Sequence, residues 1–259
     1  MKKYLFLSLL AFGFFACKDD DQPSNTNATV NLNFRATYEG EPLVLYEALD
    51  YPDGKKIRFQ NFNFFVSHIT LLGDGATPDY QLSEVEFFDF GNNLDLTAAQ
   101  APQTMEFEKV PPGTYRGISI DFGVPAELNN AEAGSLPSDN PLRQAFTTHF
   151  WTDWGSFIFM KSEGIYDLNG DGTFNQSDQG FEHHPGMDDV FKSVTKLKSF
   201  TLEKGKTFDL DLEADIYDIY VENGVPLDLS NPANKDTQEA IDLPLAIELM
   251  SHWEQALKF

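Results

Sequence analysis

Cysteine is nearly absent from this sequence: Cys17 is the single one among 259 residues. The chain therefore has no internal disulfide, and once Cys17 is modified it has no thiolate. Blue-copper, zinc-finger and cysteine-protease chemistry are excluded, because each needs cysteine ligands or a cysteine nucleophile. The motifs G-x-S-x-G and H-E-x-x-H and the Walker loop are also missing, so we predict that the protein is not an enzyme.

Positive charge is scarce as well. The chain has 18 Lys and Arg against 41 Asp and Glu, a formal net charge of −23 at pH 7. A surface this acidic repels nucleic acid and anionic lipid surfaces, and it attracts cations. We therefore expect metal ions and no nucleic acid among its partners; the sequence does not identify a protein partner.

The N-terminus is typical of an exported lipoprotein. Lys2 and Lys3 precede the apolar run YLFLSLLAFGFFA, which is too short to span a bilayer and remain there. FFAC resembles a bacterial lipobox, so we expect residues 1–16 to be a signal peptide and Cys17 to be lipidated. Residues 17–28 then form a flexible tether from the outer membrane, on its periplasmic or cell-surface side. The alternative is an ordinary secretory signal.

Strand-type alternation dominates residues 29–259, which we predict to form a single domain. In TVNLNFRAT every second residue is apolar: Val30, Leu32, Phe34 and Ala36. The pattern returns in KTFDLDLEA and in several Phe-rich segments separated by Gly, Pro, Asn and Asp. In KKIRFQNFNFFVSHITLL the alternation slips by one between Phe59 and Phe62, which predicts a β-bulge. The expected fold is all-β, an antiparallel two-sheet β-sandwich of Greek-key or immunoglobulin-like type.

Only a few short helices are expected. NPLRQAFTTH has Asn140 placed as the N-cap and Pro141 in the first turn. At the C-terminus, DLPLAIELMSHWEQALKF predicts an amphipathic helix with one apolar stripe: Leu245, Leu249, Trp253 and Leu257. His252 lies off this stripe and is expected to be solvated. His68 shares a strand face with Phe62 and is expected to be a core histidine.

The stretch DLNGDGTFNQSD matches the spacing of a twelve-residue calcium loop. Its candidate ligands are Asp167, Asn169, Asp171, Thr173, Asn175 and Asp178. Gly172 stands where the sharp turn is needed, and Phe174 stands at the usual apolar anchor position. No paired helices flank the loop, so we predict a structural calcium site with an affinity of roughly 0.1–1 mM. The alternative is an Asp- and Gly-rich surface turn.

The next residues, FEHHPGM, offer softer ligands in His183, His184 and Met187. Neighbouring residues of a strand point to opposite faces, so only one of the two histidines can join a strand-built site. In a loop both could join it, and two solvated loop histidines are the alternative.

Three blocks of the sequence together resemble the MbnP-like copper-binding family. YRGISIDFGVPAELNN carries Gly113, Tyr115, Gly117, Ile118, Phe122, Gly123, Val124, Pro125, Leu128 and Asn129. NPLRQAFTTHFWTDWGSFIFMKSEG carries Pro141, Leu142, Phe150, Trp151, Gly155, Phe159, Glu163 and Gly164, and FEHHPGM carries His184 and Gly186. One departure is Asn130, which stands where the family usually has a histidine.

The resemblance implies an all-β sandwich that is exported and holds copper through histidines beside a tryptophan. Carried onto this chain, it implies copper ligands or neighbours among His149, His184, His183, Met187 and Trp151. Two functions follow. The first is an extracytoplasmic copper-binding lipoprotein that captures or stores the metal, with a calcium-stabilised loop. The second is a calcium-stapled cell-surface module for binding or adhesion that has lost the copper site.

Overall fold

The structure, a computed structural model, describes residues 26–239 and 242–259. The predicted signal peptide, Cys17 and most of the predicted tether lie outside the described residues. No helix in the described ranges has the length and apolar character needed to cross a bilayer.

Within the described ranges the secondary structure is mostly strand. The strands are β1 Ala28–Tyr38, β2 Glu41–Pro42, β3 Leu49–Asp50, β4 Lys56–Gly73, β5 Tyr80–Asp89, β6 Gln103–Val110, β7 Gly113–Phe122, β8 Phe150–Trp151, β9 Ser156–Phe157, β10 Met160–Tyr166, β11 Gln179–His183, β12 Lys192–Leu202, β13 Thr207–Asp215, β14 Val221–Glu222, β15 Val225–Pro226 and β16 Leu257–Lys258. The α-helices are α1 Leu96–Gln100, α2 Pro141–His149, α3 Ile216–Tyr220, α4 Leu243–Ser251 and α5 Trp253–Ala256, and short 3-10 turns cover Ala131–Ser135, Asp188–Val190 and Pro232–Asn234.

Two sheets pack face to face, which confirms the predicted β-sandwich. One sheet joins β16, β13, β1, β2 and β6, and the other is built around β4, which pairs with β3, β5, β7 and β10. Their inner faces meet in an aromatic core, where the Phe34 ring lies 5.6 Å from Phe64 and 4.6 Å from Phe88. The alternating apolar residues of β1 are all fully buried.

The predicted bulge in β4 is confirmed. Along β10, Glu163 pairs with Asn61 but Gly164 pairs with Phe59, so Gln60 is left without a partner. The extra residue resets the alternation, so that Phe59 and Phe62 both face the core. As a result, Asn61 and Asn63 stand together on the outer face of this sheet.

One strand pair is parallel, where the sequence predicted an antiparallel sandwich throughout. β1 runs alongside β13 with Val30 opposite Phe208 and Phe34 opposite Leu212. Alternation of apolar residues is the same whichever way a strand runs, so the pattern gives no direction for strands this distant in sequence.

The C-terminal helix is shorter than predicted. It divides at His252 into α4 and α5, and Leu257 already belongs to β16. The predicted apolar stripe is nevertheless buried from end to end, and Trp253 stacks 3.8 Å from Phe122. Packing against the sandwich therefore follows the prediction even though the helix ends early.

Gly164 allows β4, β10 and β11 to meet beside the bulge. A Cβ atom there would lie 2.4 Å from the Arg58 carbonyl oxygen and 2.5 Å from Cζ of Phe181. Neither neighbour is free to move, because one is backbone and the other is a core ring. Only glycine fits at this position.

We expect Gly164→Ala to lower the free energy of unfolding by about 1–3 kcal/mol, since it overpacks this junction. Gly180→Ala, on the paired strand, is the matched control: the nearest atom to a Cβ there is 4.0 Å away. It should be neutral or slightly stabilising. Urea unfolding of both variants tests this, and equal effects would contradict the assignment of the clash.

Candidate metal site on the outer sheet face

Helix α2 carries His149 over the outer face of the β4 sheet. The helix starts as predicted, with Asn140 Oδ1 accepting the Leu142 N–H at 2.9 Å and Pro141 in its first turn. Its last residue, His149, is 6% exposed and lies edge-on against Phe65 and Phe87. A short C-terminal turn thus buries an imidazole between the helix and the sheet.

Both ring nitrogens of His149 have partners. Nε2–H donates to Asn63 Oδ1 at 2.9 Å, and the Thr148 hydroxyl lies 2.8 Å from Nδ1. Burial, with a smaller contribution from the positive charge of Lys161, lowers the pKa of His149 to about 3. The ring is therefore a neutral imidazole at physiological pH, the protonation state that ligates metals.

The β10–β11 hairpin supplies the facing groups. Ser162 pairs with His183 and Glu163 with Glu182, so side chains alternate between the two faces along both strands. His183 consequently points into the sandwich, whereas Glu163 and His184 lie on the outer side. The structure separates the two adjacent histidines as the strand rule predicts.

His183 is wholly engaged inside the sandwich. Nε2–H donates to the Asn234 carbonyl at 2.9 Å, and Nδ1 accepts from the Tyr220 hydroxyl at 2.7 Å. Ser162 Oγ in turn lies 2.8 Å from the Tyr220 oxygen. With both nitrogens used and no exposure to solvent, His183 does not share a site with His184.

His184 pairs with Glu163 on the outer side. Nε2–H donates to Glu163 Oε1 at 2.7 Å, and the Gln238 amide lies 3.4 Å from Nδ1. The backbone N–H of His184 donates to Thr237 Oγ1, which fixes the start of the turn after β11. The hydrogen bond from His184 holds the pKa of Glu163 below its usual range, so this carboxylate is ionised.

Asn61, Asn63, His149, Glu163 and His184 together form what we call the outer-face row. The Nε2–H groups of its two histidines point at Asn63 and Glu163, which come from β4 and β10. Within residues 26–239 and 242–259, no three His, Cys, Asp or Glu side chains stand in a metal-holding arrangement. The donors suit a borderline-soft ion, but these side chains must rearrange before more than two of them reach the same ion.

Besides His183, two more of the five residues expected near copper lie outside the outer-face row. Met187, at φ +70°, lines an open depression of about 360 Å³ together with Trp154, Asn129 and Asp188. Trp151 stacks on Trp154 with ring centres 4.4 Å apart. The structure therefore divides the expected copper residues among the outer-face row, the depression and the sandwich interior.

The predicted calcium loop is the tip of the β10–β11 hairpin. Asp167, 1% exposed, accepts the backbone N–H groups of Gly170, Asp171 and Gly172 at 2.8, 3.2 and 2.9 Å. Asp178 closes the loop by accepting the Leu168 N–H at 3.1 Å. The carboxylates of Asp167 and Asp178 are thus both held on the inside of one tight loop.

Of two further details of that loop, one matches the sequence pattern and one departs from it. Gly172 has φ +77°, as the sharp turn requires. Phe174 is half-buried under Arg58, whose guanidinium carbon lies 4.5 Å from the ring centre. The anchor residue therefore packs on a cation at the sheet surface and not in the core.

Two histidine predictions were wrong. His68, expected in the core, has a side chain 37% exposed and sits at a break in strand register with φ +46°, its Nδ1–H donating to Asp121 at 2.8 Å. His252, expected in solvent, is only 7% exposed. The register break in β4 places His68 at the surface. The position of His252 at the end of α4 places it inside.

Asn130, the departure from the family pattern, has a structural use. Its Oδ1 accepts the Glu132 N–H at 2.9 Å and caps the 3-10 turn Ala131–Ser135. Its amide donates to the Glu127 carbonyl at 3.0 Å. The position therefore holds a loop together in this chain.

From the sequence alone, neither Asn63 nor Lys161 was expected to lie at the candidate site. Both are outer-face residues of strands, where the alternating pattern predicts polar groups but not which of them meet. Their pairing across β4 and β10 depends on the bulge at Gln60. A strand register derived from that bulge would have placed Asn63 opposite Lys161.

Comparison with known proteins places the chain by both sequence and fold. The sequence model of the MbnP family matches residues 27–239. Among solved structures, MbnP from Methylosinus trichosporium is similar at 14% identity and a TM-score of 0.50, over 85% of this chain and 86% of that one. No curated protein gives a significant match. Identity this low carries the fold, not the roles of individual residues.

The buried His183 predicts a specific acid sensitivity. Burial lowers its pKa to about 4, against about 6.5 in the unfolded chain. Between these values the unfolded state binds the extra proton, so the free energy of unfolding falls as the pH drops, by about 3 kcal/mol in all.

His183→Gln keeps a donor for the Asn234 carbonyl but cannot titrate. We expect the variant to be less stable at pH 7 yet to lose less stability than the parent on acidification to about pH 4.5. Urea unfolding at several pH values measures the difference. Parallel stability curves would contradict the assignment.

Proposed function

The chain belongs to the MbnP family, and on that premise we propose that it is an extracytoplasmic lipoprotein that captures or stores copper without turning over a substrate. In this proposal the outer-face row receives the metal, the hairpin tip holds calcium, and Cys17 carries the lipid anchor. The copper and calcium parts are each supported by contacts in the structure and each have a test, whereas the anchor rests on the sequence alone.

The observation that carries the copper proposal is that His149 and His184 lie on the same outer face and bond to side chains of the adjacent strands β4 and β10. The two residues come from a helix and a hairpin that are separate in sequence, and both direct Nε2–H toward the same pair of strands. Binding of a metal ion through Nε2 would require the other neutral tautomer of each ring, with the proton moved to Nδ1. Imidazole nitrogen suits copper, and the ionised Glu163 beside His184 would help to balance its charge.

The burial of His149 favours this use. A metal ion competes with a proton for an imidazole nitrogen, and a pKa lowered to about 3 removes that competition at neutral pH. The surrounding Phe65 and Phe87 rings restrict water around the ring. Copper is the cargo in this proposal, held by His149 and His184, while Asn63 and Glu163 hold the two rings in place before the ion arrives.

The calcium proposal is supported by the closed loop at the hairpin tip. Asp167 and Asp178 already face inward, with Asn169, Asp171, Thr173 and Asn175 between them along the loop. Bound Ca²⁺ would take its oxygen ligands from this set. It would then fix the turn that joins β10 to β11, and so serve as scaffold for Glu163 and His184.

A second function, that of a surface binding module, is favoured by the depression beside the stacked tryptophans. Trp154 offers a flat apolar face, and Asn129, Asp188 and Asp189 offer hydrogen-bonding groups at its rim. An aromatic platform with polar neighbours is suited to a sugar ring. Glycan binding together with an absence of copper binding would favour this function.

We expect the full chain, matured in a copper-supplemented periplasm, to carry about one copper ion at the outer-face row. His184→Ala or His149→Ala should weaken copper affinity by at least about tenfold, because each removes an imidazole ligand. Metal analysis and competition with a chromogenic Cu(I) chelator provide the measurement.

The neighbouring residue supplies the control for that experiment. His183→Gln alters the adjacent histidine, which faces the interior, and should leave copper affinity within a few-fold as long as circular dichroism shows the native fold. Copper stoichiometry near zero in the parent, or equal losses in the His183 and His184 variants, would sink the copper proposal.

Calcium should stabilise the fold through the hairpin tip. With a dissociation constant of roughly 0.1–1 mM, about 10 mM Ca²⁺ raises the free energy of unfolding by about 1.4–2.7 kcal/mol. Asp178→Asn should abolish most of this gain, whereas Asp139→Asn, in an exposed loop elsewhere, should retain it. Thermal unfolding with calcium and with EDTA measures the gain; the same gain in both variants would place the ion elsewhere.

A further inference from the structure

A small cavity lies between the β14–β15 hairpin and the end of helix α4. Its volume is about 90 Å³, enough for an ion and a water or two. Two carboxylates and one imidazole line it, those of Glu222, Glu248 and His252. The outer-face row, the hairpin tip and the tryptophan depression share no residue with it.

His252 presents a free nitrogen to this cavity. Nδ1–H donates to the Ile219 carbonyl at 2.7 Å, so in the neutral ring the lone pair is on Nε2. The residue is 7% exposed, yet Nε2 makes no hydrogen bond within the described residues. An imidazole oriented by a backbone carbonyl, with its other nitrogen free, has the usual arrangement of a histidine that binds a metal.

The Glu222 carboxylate stands beside that nitrogen. Its Oε2 lies 3.8 Å from Nε2, too far for a hydrogen bond. Two ligands of one Zn²⁺ at about 2.1 Å each stand roughly 3.4 Å apart at the tetrahedral angle. The 3.8 Å between Oε2 and Nε2 is therefore close to the separation of two ligands on one ion. The Glu222 side chain is 59% exposed and is free to move the remaining distance.

Glu248 can provide the third ligand. It precedes His252 by four residues, which places the two side chains on the same face, one helical turn apart. The other residues that line the cavity are Tyr220 and four apolar ones, and none of the lining residues is a cation: Val225, Pro226, Leu227 and Leu249. Two carboxylates and one imidazole thus line a cavity that no Lys or Arg side chain enters.

We propose that His252, Glu222 and Glu248 bind a divalent transition-metal ion of the Zn²⁺ type, with solvent completing its coordination. One nitrogen and carboxylate oxygens in tetrahedral reach are ligands that Zn²⁺ accepts. Glu248 swings in when the ion binds, since the three groups are not in place beforehand. The ion would tie the β14–β15 hairpin to α4 and to the start of α5.

The test is a calorimetric titration of the full chain with Zn²⁺ in buffer that contains saturating calcium, so that the hairpin tip is occupied. His252→Asn is the informative variant, because its amide can still donate to the Ile219 carbonyl but it lacks Nε2. We expect it to bind one Zn²⁺ fewer than the parent. Glu222→Gln should weaken the same binding event by at least about tenfold.

Two controls separate this site from its surroundings. Glu254→Gln removes one carboxylate from α5 outside the cavity and should change Zn²⁺ affinity by less than about twofold. His184→Ala, in the outer-face row, should leave the event intact. The proposal is overturned if His252→Asn binds as much Zn²⁺ as the parent, or if Glu254→Gln weakens binding as much as Glu222→Gln does.

Discussion

Side-chain alternation along the β10–β11 hairpin is the constraint on which the rest of this structure depends. Because successive residues face opposite sides, His183 enters the sandwich and His184 leaves it. The bulge at Gln60 and the missing side chain of Gly164 set the register in which this alternation meets β4. A slip of one residue would turn His184 into the sandwich and His183 out of it. His183 would then lose Tyr220, and His184 would lose Glu163.

Burial then decides what each histidine can do. His149 and His183 both stay neutral because charging a ring in an apolar site is costly. Both use their two ring nitrogens, but with different partners. His183 bonds to Tyr220 and a backbone carbonyl inside the sandwich, so it is a structural residue. His149 bonds to the side chains of Asn63 and Thr148, and under the copper proposal an incoming ion would replace Asn63.

Much of this could be predicted from the sequence because it depends on local periodicity. The alternation of β1 and β13, the slip in β4 and the cap at Asn140 each follow from a few consecutive residues. What failed depended on partners distant in the chain. The parallel pairing of β1 with β13 leaves no mark on either pattern. His68 turned outward because β4 loses register beside it, and His252 turned inward because α3 offers it the Ile219 carbonyl. The family resemblance predicted the sandwich, and only coordinates could divide its expected copper residues among three locations.

The proposed metal sites differ in donor chemistry in a way that would keep their ions apart. The hairpin tip presents carboxylate, amide and carbonyl oxygens, which suit calcium and offer copper no nitrogen. The outer-face row presents two imidazoles beside a single carboxylate, a poor set for calcium, which wants six or more oxygens. The two are nevertheless joined through β10 and β11, since Asp167 follows directly on the strand that carries Glu163. Fixing the tip restrains the strands on which Glu163 and His184 must meet, so a hard ion at the loop would reduce the ordering cost of binding a softer ion at the row.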